Sequence, residues 1–223
     1  MLLNFFPTSS RSEEERFKKC QEASSIEKMT PDYYAFGYDY FDNPDLGVGY
    51  GGYIYDGRHE ENIKRICHHY QLKTGDRVLE VGCAKGFILV AFQAMGLKVA
   101  GIDISQYAIS QAHPNVKDRI LLCQAYELPF ESDSFSMVLG KDILPHIPEH
   151  HVASAVKECM RVSKGSIFFE IPCGRTPREL EYMKHWDGTF LTIHTQQWWE
   201  DLLMSLNYPG DVHYKVLISE EVF

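Results

Sequence analysis

Residues 78 to 86 read Val-Leu-Glu-Val-Gly-Cys-Ala-Lys-Gly, an apolar run that holds one acid and passes directly into a GxxxG turn. Few folds accept that order. A short apolar run without alternation, Arg77 to Val81, fits a parallel strand buried on both faces, and Gly75-Asp76 ahead of it marks a turn. Gly82 and Gly86 open backbone angles closed to other residues, so the main chain can approach a ligand without a Cβ in the way. Phe87 to Met95 continues as a helix whose first N–H groups point toward the same crevice. Asp103 ends a second apolar run, Lys98 to Ile102, 21 positions after Gly82, where an acid can reach a ribose. A crevice beyond the carboxyl ends of parallel strands is where open α/β sheets bind ligands.

Two cofactor classes compete for such a crevice. A dinucleotide site prefers GxGxxG, because a pyrophosphate needs the second glycine for close approach. Here that position is Ala84, and Glu80 precedes the turn. A carboxylate there repels a pyrophosphate and suits a cationic or hydroxyl-bearing ligand. S-adenosylmethionine has a sulfonium, an ammonium and two ribose hydroxyls, and no phosphate.

The ordered set of Val78 to Phe87, Gly101-Ile-Asp-Ile-Ser105, and Leu128-Pro-Phe130 through Ile147 resembles the signature blocks of class I S-adenosylmethionine-dependent methyltransferases. The likeness runs from about residue 58 to 172. The resemblance implies that the turn of Glu80, Gly82, Cys83, Ala84 and Gly86 lies against the amino-acid part of the cofactor. It implies that Asp103 holds the ribose, that Ile104 packs on adenine, and that Gln124-Ala125 occupies the place of the family's Asp-Ala pair near the adenine amine. Gln124 can accept from that amine but carries no charge.

Alternating strands and helices imply a Rossmann-like, doubly wound α/β fold, a mostly parallel sheet with helices on both faces. Strands are expected near 77–81, 98–102, 119–123, 135–140 and 165–171, with connecting helices near 86–95, 105–112 and 149–162. Arg58 to Tyr70, Thr176 to His185 and Gln196 to Leu206 read as further helices, and Asp211 to Ser219 as a strand finishing the sheet. Members of the family usually end in a two-stranded hairpin, of which only one strand is legible here. Residues 1–57 are expected to form an N-terminal extension, and the resemblance implies a methyltransferase domain over residues 58–223. Within the extension, Ser9 to Ser25 reads as a charged surface helix. Asp32 to Gly57 carries seven tyrosines and six glycines, too glycine-rich for a regular element. It is expected to form a lid in which Tyr53 covers the sulfonium and Arg58 pairs with the cofactor carboxylate.

A formal charge of −9 argues against a nucleic-acid substrate, and 44% hydrophobic residues over 223 positions suffice for one core. Cys20, Cys67, Cys83, Cys123, Cys159 and Cys173 show no CxxC spacing and read as reduced packing residues of a cytoplasmic protein. No apolar stretch is long enough for export or membrane insertion.

Transfer of a methyl to a hydroxyl needs a positioned acceptor and a base. His146 is the candidate base, because Lys141-Asp-Ile-Leu-Pro-His146 follows the fourth strand, and Asp142 can place the substrate or orient His146. A histidine ahead of Pro148 can equally serve only to orient a loop. His185, Asp187 and His194 fit no metal template, so no metal is expected. Trp186, Trp198 and Trp199 can wall an acceptor pocket or anchor the core. The expected function is methyl transfer from S-adenosylmethionine to O or N of a small molecule, a sugar-derived one among the candidates. A protein side-chain methyltransferase and a non-catalytic S-adenosylmethionine-binding regulatory domain are the alternatives. Oligomeric state is not legible.

Overall fold

The computed structural model describes residues 3–6, 15, 18, 29–46 and 48–219. The expected surface helix over Ser9 to Ser25 lies almost wholly outside them. Two one-turn helices, α1 (Pro31–Tyr34) and α2 (Tyr38–Phe41), lie inside the stretch whose glycines argue against regular structure. Thr30 makes the first possible: its side chain caps α1 by accepting the Tyr33 N–H at 3.1 Å, with Pro31 fixed for the first helical turn.

The further elements follow as α3 (Glu60–His69), β1 (Arg77–Val81), α4 (Phe87–Ala94), β2 (Lys98–Asp103), α5 (Gln106–Ser110), β3 (Ile120–Leu122), β4 (Phe135–Lys141), α6 (Glu149–Val162), β5 (Ser163–Cys173), α7 (Pro177–Trp186), α8 (Gln196–Ser205) and β6 (Asp211–Val216). The strands form one sheet in the order β3-β2-β1-β4-β5-β6, and every neighbouring pair is parallel. Strand order reverses between β1 and β4, which makes their carboxyl ends the switch-point crevice. α5 is shorter than the sequence suggests and is capped by Ser105, whose Oγ accepts the Ala108 N–H at 2.8 Å.

The absence of alternation in the strands reflects burial on both faces. Val78, Met137, Leu139 and Phe168 point to one side, against Ile63, Ile66, Ile88 and Phe92 of α3 and α4. Leu79, Val138, Ile167 and Phe169 point to the other, against Val152, Ala155, Val156 and Cys159 of α6 and Trp199 and Leu203 of α8. Successive residues of a strand face opposite ways, so each apolar pair serves both layers. Each such side chain contributes about 1.5–3 kcal/mol on burial.

Two open alternatives are decided here. Among the described residues the sheet ends in the single parallel strand β6, not a hairpin, and Leu217 and Ile218 beyond it turn in to pack on Tyr182 and Met183 of α7. Trp199 is fully buried in the main core, so it anchors packing rather than walling a pocket. Among the described residues no helix is long and apolar enough to cross a membrane.

Candidate active site

A cavity of about 640 Å³ opens at the carboxyl ends of β1 and β4, where Glu80, Gly82, Cys83 and Ala84 meet Lys141 and Asp142. Tyr40, Tyr50 and Tyr53 close it from the N-terminal segment, Trp186, Asp187 and Phe190 from the region after β5, and Lys215 and Leu217 from the sheet edge. The turn after β1 is pinned by N–H groups of Gly82 and Cys83 donating to the Ile102 carbonyl at 2.9 and 3.0 Å. Gly82 has φ +76°, and a Cβ added there would lie 2.7 Å from Ile143 Cδ1, so both backbone angle and space require glycine. Ala84 holds φ +48°, a left-handed conformation taken despite its Cβ.

Glu80 is 3% exposed, and its Oε2 is a buried acceptor without a hydrogen-bond partner. Burial pushes its carboxyl well above the usual range and the Asp103 charge adds to that, against the pull of Lys141. Asp103 is raised too, by burial, while N–H groups of Ser105, Ala84 and Ile104 and the nearby His146 hold it down. A buried carboxyl with an unpartnered oxygen on the cavity wall is what the ammonium of S-adenosylmethionine would satisfy, and Glu80 is thus the structural ground on which that cofactor fits the site.

Asp103 does not share the cavity wall with Glu80, contrary to the sequence expectation of one common crevice. Its oxygens fold back to accept the Ala84 N–H at 2.6 Å and the Ser105 N–H at 2.8 Å. Phe36 of the N-terminal segment lies over the same place, its carbonyl accepting the Ser105 hydroxyl at 2.6 Å. Gly86, Ile104, Gln124 and Ala125 also lie outside the cavity lining. Ile104 and Gln124 are exposed and Ala125 packs into the core. Gly86 instead starts α4 at φ +75°.

Glu80 carries a pH dependence whose sign follows from the raised value. The folded state holds the Glu80 proton harder than the unfolded chain does. Its stabilising contribution is full below the unfolded pKa and is lost as pH rises through the folded one. Glu80→Gln, which cannot ionise, should raise the melting temperature of the ligand-free protein at neutral pH by about 2–4 °C per kcal/mol of relieved desolvation, with no gain at low pH. Scanning calorimetry across pH checks this.

The N-terminal segment is latched onto the turn by a lysine that the motif alone did not single out. Lys85 is 5% exposed, and its Nζ donates to both Asp42 oxygens at 2.6 Å and to the Tyr53 carbonyl at 2.8 Å. Tyr107 of α5 donates to the same Asp42 at 2.7 Å. A lysine inside a glycine-rich turn is an available signal, since a long buried cation needs a partner. Lys85→Met leaves Asp42 without its cation and should cost roughly 2–3 kcal/mol, read by chemical denaturation, with faster proteolysis between residues 29 and 57.

Tyr53 stacks on Phe87 with ring centroids 4.7 Å apart, and burial with Tyr50 and Glu80 nearby pushes its phenol well up. Arg58 reaches the cavity wall, but its guanidinium forks onto Asp56, holding that carboxyl down to about 2. The carboxylate partner expected of Arg58 is therefore already supplied by its neighbour.

His146 and Asp142 both line the cavity yet belong to separate networks. Asp142 sits between Lys141 and Lys215, which hold its carboxyl far down, and Lys215 also reaches Glu170 at 3.3 Å. Glu170 is fully buried and takes His213 Nδ1 at 3.0 Å. An acid inside the apolar run Ile167 to Ile171 is the sequence trace of this network. The structure gives the orienting of His146 to Thr189, whose Oγ1 lies 2.9 Å from Nδ1, and not to Asp142. The three residues weighed as a metal set go different ways: His185 faces Glu181, His194 faces Glu149, and Asp187 accepts from Tyr33, Tyr40 and Thr189. Among the described residues no group of three or more His, Cys, Asp or Glu is placed to hold a metal.

Residues 79–169 match the family model described as a methyltransferase domain. A ubiquinone biosynthesis O-methyltransferase from Nitrosococcus oceani is 29% identical over 124 residues, 52% of this chain and 51% of the relative. The 27-O-demethylrifamycin SV methyltransferase of Amycolatopsis mediterranei is 30% identical over 106 residues, 44% of this chain and 39% of the relative. The alignments thus span about half the length of the curated relatives, or less. Among solved structures, a SAM-dependent methyltransferase from Archaeoglobus fulgidus superposes with a TM-score of 0.53 at 21% identity, over 66% of this chain and 68% of that one, a likeness of fold. With the strand order and the Glu80 turn, these matches agree with one reading: residues 79–169 carry a methyltransferase domain, on a fold shared with S-adenosylmethionine-dependent methyltransferases.

Proposed function

We propose that the protein transfers a methyl group to a hydroxyl oxygen of a small molecule. The observation that carries this reading is the buried Glu80 carboxylate, with an unsatisfied oxygen, in the same cavity as His146 at the switch point of the sheet. When bound, S-adenosylmethionine supplies an electrophilic methyl carbon on a sulfonium. Glu80 and the backbone of Gly82 to Ala84 would hold its amino-acid end, and Asp103 its ribose. His146 would take the acceptor proton. Rings of Tyr40, Tyr50, Trp186 and Phe190 wall the remaining space and suit a hydroxyl-bearing acceptor with an apolar face, a sugar-derived one included.

Residues 29–57 act as a lid in this reading. Access to Asp103 requires the Phe36 region to lift, and the Lys85–Asp42 pair is the contact that reseats it.

Incubation of the full chain with methyl-labelled S-adenosylmethionine and a metabolite extract, followed by mass spectrometry, tests the reading. The expected result is a metabolite gaining one methyl in a base-stable ether. Label on protein side chains, or label retained entirely by the cofactor, would contradict it.

A further inference from the structure

We propose that Thr189 and Asp187 are positioning residues that fix the tautomer of His146 and couple it to the N-terminal segment. The inference rests on the methyl-transfer reading for its purpose, but not for its observation. Two groups meet His146 Nδ1: Thr189 Oγ1 at 2.9 Å and the Thr189 carbonyl at 3.4 Å. A carbonyl only accepts. The Thr189 hydroxyl has a single proton, and Asp187 Oδ1 lies 2.7 Å away to receive it. Toward the imidazole, then, both Thr189 oxygens act as acceptors, and Nδ1 must carry the hydrogen. Nε2 is left as the lone-pair nitrogen of a ring that lines the cavity, which is the state a base needs.

The far end of the chain reaches the segment over the site. Asp187 is 7% exposed and Thr189 4%. Besides the hydroxyl, the carboxylate accepts the Thr189 N–H at 3.0 Å, the Tyr40 hydroxyl at 2.9 Å and the Tyr33 hydroxyl at 3.3 Å. Both tyrosines come from the two N-terminal helices, and Phe36 between them meets the imidazole edge-on at a centroid distance of 5.6 Å. Phe190 flanks the ring at 4.8 Å. Seating the segment therefore supplies Asp187 with two donors and His146 with one of its flanking rings. Other charges near the ring are Asp103 across the turn and Lys141 and Asp142 in the cavity wall.

The tautomer is read without turnover. In the full chain labelled with ¹⁵N-histidine, long-range proton–nitrogen correlations above the imidazole titration range should show His146 as Nδ1–H, its signal assigned through His146→Gln. Thr189→Val should shift it toward Nε2–H, and Thr189→Ser should restore it. With an acceptor in hand, Thr189→Val should lower kcat roughly 10- to 100-fold while leaving the cofactor KM in place, and Thr189→Ser should recover most of it. A wild-type His146 found as Nε2–H overturns the proposal even if Thr189→Val does not fold. So does a folded Thr189→Val variant whose tautomer is unchanged. Failure of methyl transfer with the Nδ1–H tautomer present would count against the proposed reaction and not against this arrangement.

Discussion

Asp103→Ala is expected to weaken S-adenosylmethionine binding by roughly 100-fold or more, the equivalent of about two charge-assisted hydrogen bonds to ribose hydroxyls. The same carboxylate now accepts the N–H groups of Ala84 and Ser105, so the alanine variant also loosens the turn after β1 and the start of α5. Asp103→Asn separates the two effects. It keeps one side-chain acceptor for the backbone, loses the charge, and should stay folded while binding the cofactor about 10-fold less tightly than the native chain. Isothermal titration with each variant, beside a thermal melt, reads both quantities. Equal affinity in all three proteins would mean that the ribose does not reach Asp103.

His146→Ala should lower kcat by roughly 10²- to 10⁴-fold with cofactor affinity unchanged, as removal of a general base does. The separation matters because His146 also packs between Phe36 and Phe190, and a merely structural histidine would damage the seating of the segment as well. Cofactor affinity measured beside single-turnover rate distinguishes these. A variant that binds weakly and transfers at the native rate once saturated would make His146 a packing residue.

The fold was largely legible because a buried parallel strand announces itself without its partners. Residues 77–81, 98–102 and 135–140 read as strands from local composition, each within one residue of the observed strand, and α6 matched its expected span at both ends. The sheet edge was less legible. Whether Asp211 to Val216 pairs alone or as half of a hairpin depends on β5 and on residues beyond 219, not on its own sequence. The two helices at 31–41 were hidden for a related reason. Their turns are held by Thr30, by Asp32 accepting the Asp39 N–H, and by burial of Tyr33 and Tyr40, while composition showed only glycine and tyrosine.

The candidate site divides in the same way. Glu80, Gly82 and Ala84 follow one another in a motif, and the structure puts all three on the cavity. The partner of His146 could not be read so directly, since Thr189 lies 43 positions away and its neighbours His185, Asp187 and His194 drew attention only as a metal set. Asp142 looked like the natural orienting acid by proximity in sequence, but its left-handed backbone at φ +59° and the flanking lysines turn it to another network. Sequence spacing identifies what a turn can hold. Long-range pairing decides which side chain faces which.

Titration of the full chain with S-adenosylmethionine, with NADH as the control, tests the central claim most directly. Saturable heat with the sulfonium nucleoside, abolished or strongly reduced in Asp103→Ala and Glu80→Ala, and no heat with NADH, is the predicted result. Heat with NADH alone, or identical S-adenosylmethionine binding in both carboxylate variants, would contradict it.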